Sequence, residues 1–181
     1  MKKLLSILLV LAMAVSLFTA CGGKKAEETT APVVSVEGTM EELLNQVIAQ
    51  RPVEFMGGVI PIDLTDTSED GAWAVKSYTG LEDAGKLTEA AAYEPMIGSI
   101  AFSMVMVRVA PGEDAKAVAE GMKAGVDPRK WICVEADDLL VAGRGDVVML
   151  IMVSSANEMT AQSFVDAFQK VVGGELDFVL E

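Results

Sequence analysis

Apolar residues follow two rhythms along this chain, and the change from one to the other marks its elements. Thr39-Met40-Glu41-Glu42 has the form of a capping box: Thr39 accepts from the Glu42 backbone and Glu42 reaches back. Met40, Leu43, Leu44, Val47 and Ile48 then recur at helical spacing, which predicts one apolar helix face ending ahead of Pro52. Val53 to Leu64, with Gly57-Gly58 and Pro61, reads as irregular, with at most a short extended piece. Thr67 is expected to cap a short helix with Glu69 and Asp70 in its first turn and Gly80 at its end. Glu82 to Tyr93 is alanine-rich and reads as a further short helix, stopped by Pro95.

Beyond residue 98 the rhythm changes. Ile100 to Val109 is apolar except for Ser103 and Arg108, as in a central strand covered on both faces. Pro111 suits the first turn of a helix with Ala115, Val118, Ala119 and Met122 on one face and Gly125 at its end. Trp131 to Glu135 and Leu139 to Ala142 read as short strands around Ala136-Asp137-Asp138. Arg144-Gly145-Asp146 reads as a turn, and Val147 to Val153 as a third apolar strand. Phe164, Val165, Phe168, Val171 and Val172 mark a last amphipathic helix closed by Gly173-Gly174. Tight turns between strands imply antiparallel pairing. The expected fold is α+β: a largely antiparallel sheet of three to five strands with helices packed on one side, in one globular domain over 39–181.

Residues 1–38 follow neither rhythm. Lys2 and Lys3 precede the apolar run Leu4 to Phe18, which is short for a stable membrane span, and Thr19-Ala20-Cys21 follows. Residues 1–20 therefore read as a secretory signal. The stretch Leu17-Phe18-Thr19-Ala20-Cys21 resembles a bacterial lipoprotein lipobox, with Phe18 where an aliphatic residue is usual. That resemblance implies that Cys21 becomes the lipidated first residue of the mature chain, anchored at the outer face of the cell membrane. Two acyl chains suffice for stable attachment. An ordinary signal peptide with a fortuitous cysteine is the competing reading. Residues 21–38 are small and polar and read as a flexible tether.

Composition narrows the chemistry. The 27 acidic residues outnumber 14 basic ones, leaving a net charge of −13, which argues against nucleic acid as a partner. The absence of histidine removes Ser-His-Asp and Cys-His catalysis and any histidine metal site. Asp66, Ser68, Asp70 and Gly71 copy the opening of an EF-hand calcium loop, but Ser77 stands where the closing glutamate is required. No metal and no cofactor is therefore expected. Cys133, within apolar Trp131-Ile132-Cys133-Val134, is expected to be buried and inert. Asp137-Asp138 is the densest acid cluster of the strand region. Neighbours on a strand point to opposite faces, so the pair reads as a solvated turn before it reads as an acid/base site. Arg108 could bind an anionic ligand, but an ion pair at the strand end is the simpler expectation. Trp73, Trp131, Tyr78 and Tyr93 read as core or boundary residues, and Met104, Met106, Met149 and Met152 as soft core filling.

Several short words share a layout with a known family. These are Tyr78-Thr79-Gly80-Leu81, Pro95-Met96-Ile97, the strand Ile100 to Val109, the helix Ala115 to Lys123, Gly145-Asp146-Val147-Val148 and the last helix. Together they resemble bacterial lipoproteins carrying the domain of unknown function 4358. Asp127-Pro128-Arg129-Lys130-Trp131 stands in place of a longer helical segment of that family. The resemblance implies a small extracytoplasmic lipoprotein of undetermined function. The expected role is a membrane-anchored, non-catalytic module that binds a protein, a cell-wall component or a small ligand. The alternative is a small carboxylate-based or cation-dependent hydrolase, which needs two acids to meet in a concave site.

Overall fold

A computed structural model describes residues 35–181. The signal sequence, Cys21 and most of the expected tether lie outside the described residues. Helix α1 (Met40–Gln50) begins at the capping box expected from the sequence: Thr39 Oγ1 accepts from Glu42 N at 3.2 Å and Glu42 Oε2 accepts from Thr39 N at 2.9 Å. Its apolar face is buried at Met40, Leu43, Leu44 and Val47, and it ends at Gln50, with Arg51 as the cap ahead of Pro52. Strand β1 (Gly57–Pro61) is the short extended piece within the irregular segment.

Helix α2 (Glu69–Thr79) is capped by Ser68, not by Thr67. Ser68 accepts from Gly71 N at 3.2 Å, and Asp66 accepts from Ser68 N at 2.9 Å. Residues that mimic a calcium loop are thus committed to the turn that starts a helix. Gly80 ends α2 with φ 76°, a left-handed geometry that glycine adopts without a Cβ penalty.

The alanine-rich segment is not a helix. It forms strand β2 (Leu87–Pro95), in which Ala90, Ala91 and Ala92 are all buried. Two flanking strands supply its hydrogen bonds, and its small side chains let helices approach both faces, so tertiary context overrides helix propensity. Strand β3 (Phe102–Val109) follows as expected. Helix α3 (Ala115–Gly125) starts at Asp114, which accepts from Lys116 N at 2.9 Å; Pro111 lies in the preceding turn, outside the helix. Residues 131–135 are an irregular loop and not a strand. Strands β4 (Asp138–Arg144) and β5 (Val147–Val153) pair across the expected turn, and α4 (Ala161–Val172) ends at Gly173. An unforeseen β6 (Phe178–Leu180) completes the edge; a Cβ at Gly143 would collide with the Phe178 ring.

All neighbours pair antiparallel, in the order β1-β2-β3-β5-β4-β6. Strands β3 and β4 run the same way with β5 between them, because α3 carries the chain across one face. The α+β class and antiparallel pairing hold, with six strands against the expected three to five. The helices cover both faces instead of one. Helices α1 and α4 pack with Met104, Met106, Met149 and Ile151 on one face; α2 and α3 pack with Val105, Val107, Leu150 and Met152 on the other. The cause is in β5, which is apolar throughout, and β3, which is apolar except at Ser103 and Arg108, so that neither strand leaves a face for water. The four methionines read as core filling are fully buried.

Candidate functional site

Polar side chains gather at the two opposite ends of the sheet. At one end, the β2–β3 pair places Arg108 opposite Glu89, just past an irregularity in the register between Leu87 and Glu89. Arg108 Nη1 pairs with Asp146 at 2.6 Å, and its Nε lies 3.5 Å from Glu89. The same guanidinium donates to the carbonyls of Val36 (3.0 Å) and Gly38 (2.6 Å). Asp146 accepts from Val36 N at 2.9 Å, and Glu89 accepts from Met40 N at 2.9 Å. Arg108 therefore pairs with acids, as the simpler expectation held, and through them straps residues 35–40 to the sheet. Val36 is buried in the core of that face, so the expected tether is already fixed by residue 36.

At the other end lies a polar cluster that the sequence did not disclose. Ser103 Oγ donates to Glu94 Oε1 at 2.7 Å, while Lys130 Nζ donates to Ser103 Oγ at 3.0 Å and to Glu94. The Lys130 and Glu94 side chains are only 13% and 14% exposed, and Ser103 is fully buried. Lys130 Nζ also lies over the rings of Tyr78 (5.0 Å) and Trp131 (5.3 Å). Burial, and secondarily the Glu94 carboxylate, raises the Tyr78 pKa above its ordinary value. A serine beside a lysine can be an activated nucleophile when substrate can reach it. Here Ser103 is fully buried and its hydroxyl donates a hydrogen bond to Glu94. The cluster instead pins the 127–137 loop to β2 and β3. Its one sequence signal is Ser103 interrupting the β3 apolar run.

The other expected residues separate. Asp137 accepts from Ser155 N (2.7 Å) and Ser155 Oγ (2.6 Å), and these bonds, led by the hydroxyl, lower its pKa. Asp138 accepts from Ala161 N at 2.8 Å, at the start of α4. The pair is divided between two structural duties and does not converge. Asp63 and Asp66 also have lowered pKa values, from hydrogen bonds with Thr65 and Ser68. A general acid needs a shift in the opposite direction. Cys133 is exposed, not buried, because the loop that carries it makes no strand. Trp73 is exposed on α2, whereas Tyr93 is buried and Tyr78 and Trp131 are partly buried at the edge of the core. Among the described residues no three potential ligands gather to hold a metal, and no helix is long and apolar enough to cross a membrane.

The end bearing the buried cluster also carries exposed apolar side chains. Met96 N donates to Met56 O at 2.9 Å, which sets the two residues side by side at the tips of β1 and β2. Met56 is 77% exposed, Met96 72% and Ile97 58%. Ile132, 98% exposed, sits on the loop that Lys130 holds to Glu94. Seven residues of extended chain, from Glu89 opposite Arg108 to Met96, separate these tips from the strap by roughly 23 Å. A shallow open depression on α3 and β6, lined by Glu120, Lys123 and Val179 among others, offers no enclosed site. No family model, curated protein or solved structure matches this chain.

Proposed function

We propose that this chain is a membrane-anchored extracytoplasmic lipoprotein of the kind it resembles, with residues 1–20 removed and the lipid on Cys21. In this reading the globular domain is a non-catalytic binding or interaction module. One observation carries the binding role: the exposed apolar tip of Met56, Met96 and Ile97, at the end of the sheet away from the strapped N-terminal segment. Monomeric surfaces rarely present large apolar side chains together unless something covers them. The geometry fits an anchor as well. A tether that joins the domain at the Arg108 strap leaves the apolar tip at the other end of the sheet open to a partner. The acidic body does not adhere to anionic lipid, so attachment rests on the acyl chains.

Two measurements test this reading. Cys21→Ala should move the protein from the membrane to the soluble fraction; continued membrane association would refute the anchor. A photoreactive residue in place of Met96 should give a discrete adduct on whole cells, while one in place of exposed Glu113 gives none. Equal labelling at both sites would refute the apolar tip as the binding surface.

A further inference from the structure

Strand β1 is an edge, and its register decides which backbone groups face outward. Met96 N donates to Met56 O and Ile62 N donates to Ala90 O, so residues 56, 58, 60 and 62 bond to β2. The N–H and C=O groups of Gly57 and Val59, and the C=O of Pro61, therefore point away from the sheet. Among the described residues nothing pairs with them. Pro61 stands where its missing N–H faces outward, which is the position an edge strand tolerates. Natural edges are usually blunted by charge. This one is not: no charged residue occurs between Phe55 and Ile62, or between Pro95 and Ala101, in a chain of net charge −13.

We infer that β1 pairs with β1 of a second copy of this chain, antiparallel about a two-fold axis at Val59. This register is self-complementary and overlays all five residues of β1 on those of the second copy. Opposed Val59 residues exchange two bonds, and each Gly57 N–H donates to the Pro61 carbonyl of the other copy. Every outward N–H of both strands is then satisfied, and the proline leaves no donor wasted. Like-charged bodies can approach along this edge because it carries no charge. Gly58 supplies room, since nothing lies within 4 Å of where its Cβ would stand, and it faces the exposed Ile60 of the other copy. The product is one continuous sheet through two molecules. Contacts of this size are transient in solution. The pairing is read from the strand alone and stands whether or not Cys21 is lipidated.

The register supplies its own test. Gly58 and Ile60 of opposite copies form non-hydrogen-bonded pairs, about 4.5 Å apart at Cα, within disulfide range. In the full-length chain, with Cys133→Ser to remove the exposed thiol, the double variant Gly58→Cys/Ile60→Cys should give a crosslinked dimer on mild oxidation of whole cells. Either single variant should give at least tenfold less, because like positions lie diagonally apart. Adding Val59→Pro, which removes an outward N–H and no bond to β2, should abolish the dimer. Ile60→Lys is a second disruptor at an exposed position: in the Gly58→Cys/Cys133→Ser chain, it should protect the thiol no better than solvent does. Equal crosslinking by the single variants would overturn the register. A crosslink to a different protein would overturn the choice of partner. No dimer from the double variant, with its thiols open to maleimide or closed to it, would overturn the pairing.

Discussion

The Lys130–Glu94 pair, 13% and 14% exposed, matters most for what happens when one member is removed. Lys130→Met leaves the Glu94 carboxylate under a sheet face with Ser103 as its remaining partner, and stability should fall by about 3 kcal/mol. Lys130→Met/Glu94→Leu removes the charge as well and should recover most of that loss. Urea unfolding of the two variants checks the difference; equal losses would show that the carboxylate is not the cause. The tyrosines give a second check on the same region. The chain has only two, and burial raises the pKa of both Tyr78 and Tyr93, Glu94 adding to the effect on Tyr78. The absorbance of native tyrosinate should therefore appear above the ordinary value near 10. The sign for stability follows. Between the unfolded and folded pKa values the native state holds the extra protons, so the stabilisation is present below about pH 10 and is lost as the pH rises through the folded values. A native titration coincident with that of the unfolded chain would contradict this.

At the scale of elements, helices α2 and α3 meet where two glycines touch. A Cβ on Gly125 would collide with the carbonyl of Gly80, and backbone cannot swing aside as a flexible side chain can. Gly125→Ala should cost about 1–3 kcal/mol and lower the thermal midpoint, although alanine is the better helix former. Stabilisation by the substitution would show that the helices separate freely. This joint also shows what the sequence could disclose. Helix α1 was legible because its capping box and apolar spacing are local, and α3 and α4 because each has one apolar face. Both glycines were legible as helix ends, but their contact was not, for it belongs to two elements distant in sequence. The alanine-rich β2 misled for a related reason: its strand conformation is imposed by β1 and β3, not by its own composition. The same holds for the polar cluster. Ser103 lies 9 residues from Glu94 and 27 from Lys130, and no spacing rule connects them. Cys133 and Asp137-Asp138 were conspicuous by residue type, whereas their surroundings depend on a loop whose path Lys130 sets.

The described domain has a polarity, with a strapped entry at one end of the sheet and bare apolar tips at the other. One guanidinium maintains the strap. Arg108 serves Asp146, Glu89 and the carbonyls of Val36 and Gly38 together, a set of directions that a planar fork can meet and an ammonium cannot. If the strap fixes where the chain leaves the domain, releasing it should loosen residues 35–39 before it loosens the sheet. Arg108→Met removes hydrogen bonds that involve a charge, each worth about 1.5 kcal/mol or more. The open population of the segment should then rise at least tenfold. Amide exchange of Val36, whose N–H is held by Asp146, should accelerate by that factor, while β5 amides keep their protection. Arg108→Lys should behave like the methionine variant in exchange and keep only part of the lost stability. Two outcomes would tell against the strap: unchanged Val36 exchange in Arg108→Met, or equal acceleration throughout the sheet. The first would mean that burial of Val36 alone holds the segment. The second would mean that Arg108 supports the sheet as a whole and that the entry point is not separately controlled.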